Sequence, residues 1–255
     1  MSLVEIGVLF GTSFAAGVVN SIAGGGTLIT FPALLGVGYT PLVANGTNTA
    51  ALVPGSAAAT WGYARELAGR RRDVLLFALP SFAGGALGAW LVRRAGNELF
   101  GHLVPWLILG ATLLFMLREP LERRFVRRDG QPVGPRRLVA IGVFQLLVAV
   151  YGGFFGAGMG ILILAALGQL GWTDIHEMNA LKNIVAVCIN STAAVTFTVL
   201  GLVDWPVAGM MAVGAIAGGY GGARLAQKLG HQAVRRIVLL VGFGIAAWMF
   251  VLELR

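Results

Sequence analysis

Asn20-Ser21-Ile22-Ala23-Gly24-Gly25-Gly26-Thr27-Leu28-Ile29-Thr30-Phe31-Pro32-Ala33-Leu34-Leu35 sets three consecutive glycines between two apolar runs. Each glycine costs a helix about 1 kcal/mol relative to alanine, so the triplet ends one helix and lets another begin at Thr27. The run before it starts at Leu3 and has the roughly 20 residues that cross a bilayer. The run after it, 27–37, is too short to cross alone. A break inside apolar sequence leaves N–H and C=O groups that lipid does not satisfy, so it is buried in protein or lines a wet cavity. The stretch predicts a membrane protein with an interrupted segment in its interior.

The composition agrees. Of 255 residues, 57% are hydrophobic and 12% charged, and the mean hydropathy is +0.80. A soluble domain is roughly 45–50% apolar and about 25% charged, so this chain lacks the charge to cover a water-facing surface. That excludes an ordinary cytosolic enzyme, a disordered chain and a nucleic-acid partner. Full spans are expected near 3–22, 42–62, 73–93, 99–117, 137–154, 178–200, 205–225 and 235–253, with short pieces at 27–37 and 159–170. The second short piece follows Gly152-Gly153 and Gly156-Ala157-Gly158. The fold class is therefore an all-α polytopic membrane protein embedded in a lipid bilayer. The N-terminus carries Glu5 and no basic region, and reads as a permanent span rather than a cleaved signal. Cys188 is the only cysteine, which rules out an intrachain disulfide and a Cys-based metal site. No pattern calls for a cofactor. Neither a G-x-S-x-G elbow nor an H-E-x-x-H motif is present, so nothing points to an enzyme.

The chain repeats itself. Ala83-Gly84-Gly85-Ala86-Leu87-Gly88-Ala89 returns as Ala217-Gly218-Gly219-Tyr220-Gly221-Gly222-Ala223, an offset of 134. Gly38-Tyr39-Thr40 matches Gly171-Trp172-Thr173, Asn45 falls on Asn179, and Ser56 on Asn190. A duplication follows, with a first membrane repeat 1–117, a basic linker 118–136 and a second repeat 137–255. Each repeat has four long helices and one short or broken one. Fifteen of the 19 basic residues lie in 65–72, 118–137 and 224–236. Those three regions share one face if each half supplies five segments, and the positive-inside rule makes that face cytoplasmic. Both termini are then outside, and five being odd, the halves are inverted. Inverted repeats typify secondary transporters with a site near the midplane.

The first half resembles the sulfite exporter TauE/SafE family, also called the toluene sulfonate uptake permease family. The resemblance rests on Ser21 to Leu35, on Gly38-Tyr39-Thr40-Pro41 and on Gly46-Thr47-Asn48, and is close over 14–60. The second half resembles it more loosely through Tyr151-Gly152-Gly153-Phe154-Phe155-Gly156 and Asn179-Ala180-Leu181-Lys182-Asn183. It implies a bacterial plasma (inner) membrane or plant-type transporter of sulfite, sulfonates or other small anions. The expected function is thus a secondary transporter of a small anionic substrate, of the sulfur oxyanion or organosulfonate class, with alternating access between inverted halves. An anion channel and a structural subunit of a membrane complex are the alternatives.

The residues offer a site. A helix restarting at Thr27 would aim its positive end at a cavity, and such ends bind anions. Ser21, Gly24, Gly25, Gly26 and Thr27 are therefore candidate substrate-binding residues; the alternative is that the glycines only allow close packing. Gly156 and Gly158 should face them from the second break. Asn45, Thr47, Asn48 and Thr49, with Asn179, Lys182 and Asn183, either cap helix starts after Pro41 and Asp174 or donate to substrate oxygens, the latter favoured for Asn48 and Asn183. Lys182 is the only basic residue inside a segment. Intramembrane charge costs ~2.5–3.5 kcal/mol at a helix centre and is usually functional, so Lys182 is expected to hold the anion; snorkelling to the interface is the alternative. His176 either carries a coupling proton or merely caps. No carboxylate sits in mid-span, so no carboxylate proton relay is visible.

Overall fold

The computed structural model describes residues 1–22, 25–63, 71–118, 120, 134–172, 174–229 and 231–253. Among them the chain is helical and has no strand: α1 Leu3–Ile22, α2 Thr27–Gly36, α3 Pro41–Tyr63, α4 Arg71–Met116, α5 Pro135–Phe154, α6 Met159–Gln169, α7 Ile175–Val199, α8 Trp205–Leu229 and α9 His231–Glu253. The 46 residues of α4 would reach ~69 Å if straight, over twice a bilayer core of about 30 Å. The chain turns instead at Gly96, whose φ of 77° and ψ of 173° are open only to glycine. This divides α4 into a first arm, 71–95, and a second arm, 97–116. With that break counted, all eight expected spans and both short segments are present.

Leu3–Asn20, Arg72–Met116, Pro135–Phe154 and Glu177–Val199 are long and apolar enough to cross a membrane on composition alone. α3 is just as long but holds Asn45, Thr47, Asn48 and Thr49, all buried. It is an inner helix, so its polar groups meet protein rather than lipid. The large side chains of Leu79, Trp106, Leu147 and Val199 are exposed, as a lipid-facing belt requires. α2 and α6 have 10 and 11 residues, about 15 Å each, half the core.

The repeated glycine motif has a packing role. A Cβ on Gly84 would stand 2.9 Å from the Leu146 carbonyl of α5, and one on Gly85 2.5 Å from the Ile189 carbonyl of α7. In the other copy, Gly218 would meet the Phe14 carbonyl of α1 at 2.0 Å, and Gly219 the Gly55 carbonyl of α3 at 3.3 Å. Backbone this close leaves no room for a side chain at Gly84, Gly85 or Gly218, and only a tight fit at Gly219. Each copy thus locks its helix onto the first and third helices of the opposite half. Accordingly α1 lies along α8 and α5 along the first arm of α4, α3 meets α8, α7 meets that same arm, and α3 and α7 meet each other. One apolar core runs through both halves, from Leu9 and Phe31 to Phe197 and Val238. Phe31 meets Phe155 edge-on with ring centroids 5.3 Å apart.

Candidate functional site

The two helix breaks meet at a small cavity of about 40 Å³, room for a few waters. The first break supplies Asn20, Gly25 and Thr27, and the second Gly156, Met159 and Gly160. Between them α3 presents Leu52 and Ser56, and α7 presents Lys182, Asn183, Ala186 and Asn190. Leu52 and Ser56 are four residues apart, and Lys182, Ala186 and Asn190 recur every four, which keeps each set on one face.

Each break is held by different chemistry. At the first, the Asn20 carboxamide oxygen accepts hydrogen bonds from the backbone N–H of Gly25 (2.9 Å) and of Gly26 (2.8 Å). Two N–H groups that the sequence reading aims at a substrate are thus turned to a side chain of the same chain. Gly26 also lies so close to Ala16 that a Cβ would stand 2.8 Å from the Ala16 carbonyl, which is the packing alternative in physical form. At the second break Gly156 and Gly158 have φ of 80° and 76°, a left-handed conformation that disfavours any other residue. The Tyr151 hydroxyl donates to the Ala157 carbonyl at 2.6 Å and closes the turn.

Lys182 is 2% exposed. Its ammonium donates to Asn179 Oδ1 at 3.0 Å, one turn back on α7. No carboxylate is among the residues lining the cavity, and the described residues hold no cluster of three His, Cys, Asp or Glu suited to a metal. Next to it Asn183 is 4% exposed and its Nδ2 has no hydrogen-bond partner. A buried amide donor without an acceptor costs about 1–3 kcal/mol, so a ligand oxygen placed there is favoured.

The remaining polar residues sort into supports. Asn48 accepts from the Thr30 hydroxyl and donates to Thr27 Oγ1 at 3.4 Å, behind the cavity wall. Asn45 Nδ2 donates to the Phe154 carbonyl at 2.9 Å and so ties α3 to the end of α5. Thr49 bonds back to the Asn45 carbonyl at 2.8 Å. Neither asparagine caps a helix start: Asn97 accepts from the Leu42 N–H at 3.0 Å, and Asp174 from the Glu177 N–H at 3.3 Å. Thr47 Oγ1 accepts from the Asp204 N–H at 3.0 Å, while Asp204 Oδ2 accepts from the Tyr39 hydroxyl at 2.7 Å. That latch joins the α2–α3 and α7–α8 turns. Burial and the adjacent carboxylate push the Tyr39 hydroxyl up to about 12.

Of the expected site residues, Gly25, Thr27, Gly156, Lys182 and Asn183 line the cavity. Gly26 and Asn48 stand one step behind it. Gly158 faces Ala111 on α4 rather than the cavity. Gly24 and the side chains of Ser21 and His176 lie outside the described residues. Three lining residues with polar side chains fall outside the expected set: Asn20, Ser56 and Asn190. The last two carried a signal, since they match each other at the 134-residue offset and lie eight residues beyond Asn48 and Lys182 on the same helix faces.

Long apolar helices around two half-length ones, with a polar cavity where the interruptions meet, are the architecture of a membrane transporter. The chain belongs to the TauE/SafE family: the family described as "Sulfite exporter TauE/SafE" matches residues 9–249. A "Probable membrane transporter protein" of Haemophilus influenzae is 32% identical over 96% of this chain and 94% of its own. "Probable membrane transporter protein YfcA" of Escherichia coli K12 is 31% identical over 92% and 86%. "Probable membrane transporter protein ORF9" of a Sinorhizobium species is 31% identical over 93% and 89%. No solved structure matches the chain.

Proposed function

We propose that this chain is a secondary transporter of small anions, of the sulfur oxyanion or organosulfonate class, working by alternating access between two inverted halves of a bacterial inner-membrane protein. One observation carries the proposal. The Lys182 ammonium, bonded to Asn179, is almost wholly buried at a cavity built from both helix breaks and lined by no carboxylate among the described residues. A buried ammonium in membrane sequence is expensive, and an arriving oxyanion offsets that cost by charge-assisted hydrogen bonds. Asn183 Nδ2 and the Ser56 and Asn190 side chains supply further polar contacts at the same wall. His176 is left a possible coupling group.

The cavity's small volume suits an occluded state. It has room for a few waters but not for a hydrated oxyanion, so loading requires the groups of helices around it to move apart. The close backbone contacts of the glycine motifs run between the halves, joining α8 to α1 and α3 and the first arm of α4 to α5 and α7, so each of these swapped groups moves as a unit. With the arginine-rich turns on the cytoplasmic face, both termini lie outside.

Purified protein in liposomes, loaded with sulfite or an alkyl sulfonate, tests the reading. Saturable uptake with counterflow, absent for cations, is the expected result. Flux that never saturates marks a channel instead, and cation movement without anion movement overturns the proposal.

A further inference from the structure

Among the described residues, one groove beside α6 distinguishes the second half from the first. In helix order, α9 corresponds to the second arm of α4, and α2 to α6. α9 packs on α2, whereas the second arm of α4 stands off α6. The gap is a groove of about 440 Å³. Its walls are apolar: Leu114 from α4, Ile141 and Phe144 from α5, Leu162 and Ala165 from α6. Among the described residues its single cation is Arg137, in the first turn of α5, whose guanidinium donates to Gln169 Oε1 at the end of α6.

The first half shows what is different here. Phe14 of α1 and Leu146 of α5 both present their carbonyls to matching glycines of the repeated motif, Gly218 and Gly84. That pairing sets α1 on α5 at a displacement of 132. Glu5 then stands where Arg137 does and, by the match of Gly38 with Gly171 just beyond the two short helices, Gly36 stands where Gln169 does. The half with the open groove has a cation at its rim; the half with the closed one has an acid. Arg136 and Arg137 are both exposed, and they end a linker in which Arg118, Arg123, Arg124, Arg127 and Arg128 outnumber Glu119, Glu122 and Asp129.

We infer that this groove binds an anionic phospholipid, with one acyl chain along the apolar walls and the headgroup phosphate on Arg137. An empty slot forfeits dispersion contacts on both walls, and a flexible hydrocarbon chain restores them. A guanidinium pairs a phosphate through two parallel hydrogen bonds. A zwitterionic lipid fills the slot equally well but adds an ammonium beside the arginine. The occupied groove braces α6, the half-helix whose first residues, Met159 and Gly160, line the polar cavity. The inference does not depend on which substrate that cavity carries.

The test is lipid retention by the purified full chain in detergent, offered palmitoyl-oleoyl phosphatidylglycerol or the matching phosphatidylcholine and read by native mass spectrometry. Phosphatidylglycerol should be retained about fivefold over phosphatidylcholine, the contribution of one arginine near an anionic headgroup. Arg137→Gln should abolish that preference. Ala140→Trp, which places a ring in the groove from the exposed side of α5, should lower retention of both lipids; it also serves if Arg137→Gln fails to fold. Equal retention of the two lipids by the unmodified chain, undiminished preference in Arg137→Gln, or a lipid-free dimer that covers the groove each overturns the inference.

Discussion

The two helix breaks do the same job by unlike means. The first is held by a side chain: Asn20 reaches over and takes the N–H groups of Gly25 and Gly26. The second is held by backbone conformation, with two glycines at positive φ and a tyrosine hydroxyl closing the turn. The helices beside them differ in step. At the position of Lys182 on α7, α3 has Asn48, and that asparagine is bonded to Thr27 and Thr30. At these matched positions the first stretch bonds its asparagine to neighbouring hydroxyls, and the second brings a cation and an orphaned amide to the cavity. Equivalent positions in a duplicated chain need not share a role once the two halves face one another in a single core.

That division can be broken at several points. Removing the cation should have the largest effect. Lys182→Ala is expected to lower anion flux in liposomes tenfold or more, since hydrogen bonds to charged groups contribute about 1.5–3 kcal/mol. Asn48→Ala, at the matching position, should act mainly on stability. Equal flux losses from the two, in folded protein, would erase the distinction between the halves. Next in size, Asn20→Ala leaves two N–H groups at the first break without their acceptor. It should destabilise the detergent-solubilised protein by about 1–3 kcal/mol for each group that water does not reach, read as a fall in the thermal midpoint. Asn20→Asp keeps the oxygen that accepts from both and should recover most of the loss.

At the second break, Gly158→Ala forces a Cβ into a left-handed position and should cost about 1–2 kcal/mol, again by thermal midpoint. The same substitution at Gly25, where no positive φ is recorded, should be milder, about 3.3 Å from the yielding edge of the Phe115 ring. The smallest effect is expected at the latch. Tyr39→Phe removes one hydrogen bond to Asp204, and should raise labelling of a single cysteine at Asn183 by an impermeant thiol reagent, in a Cys188→Ala background. The Tyr39 hydroxyl sits near 12, above its ordinary 10, so the protonated donor is favoured in the folded chain. Its contribution is full below pH 10 and fades as pH rises toward 12. Between pH 6 and 9 the labelling of unmodified protein should therefore not change on its account.

Much of the fold was legible because membrane insertion writes itself into composition. The expected segments 27–37 and 159–170 appear as Thr27–Gly36 and Met159–Gln169, since the glycines that open them and the apolar residues that fill them are local signals. The turn at Gly96 was also visible, as a gap between two expected spans, although the chain passes it as a single long element. The site was legible in part. Lys182 and Asn183 stood out because amides and charge are rare on apolar helices, whereas Asn20 looked like one more residue of a motif. Its function depends on a side chain folding back five and six residues across a turn, and no periodicity announces that. Ser56 and Asn190 announced themselves only as a matched pair in the repeat.

The amino-acid sequence alone determined that this chain lives in a membrane and where its helices start and stop, because apolar length, glycine and charge act over a few residues. Only the tertiary structure decided which N–H groups are already satisfied, that the two breaks share one cavity, and that a groove stands open beside α6. Those depend on how closely distant helices approach, and side chains that are far apart in the chain set that distance.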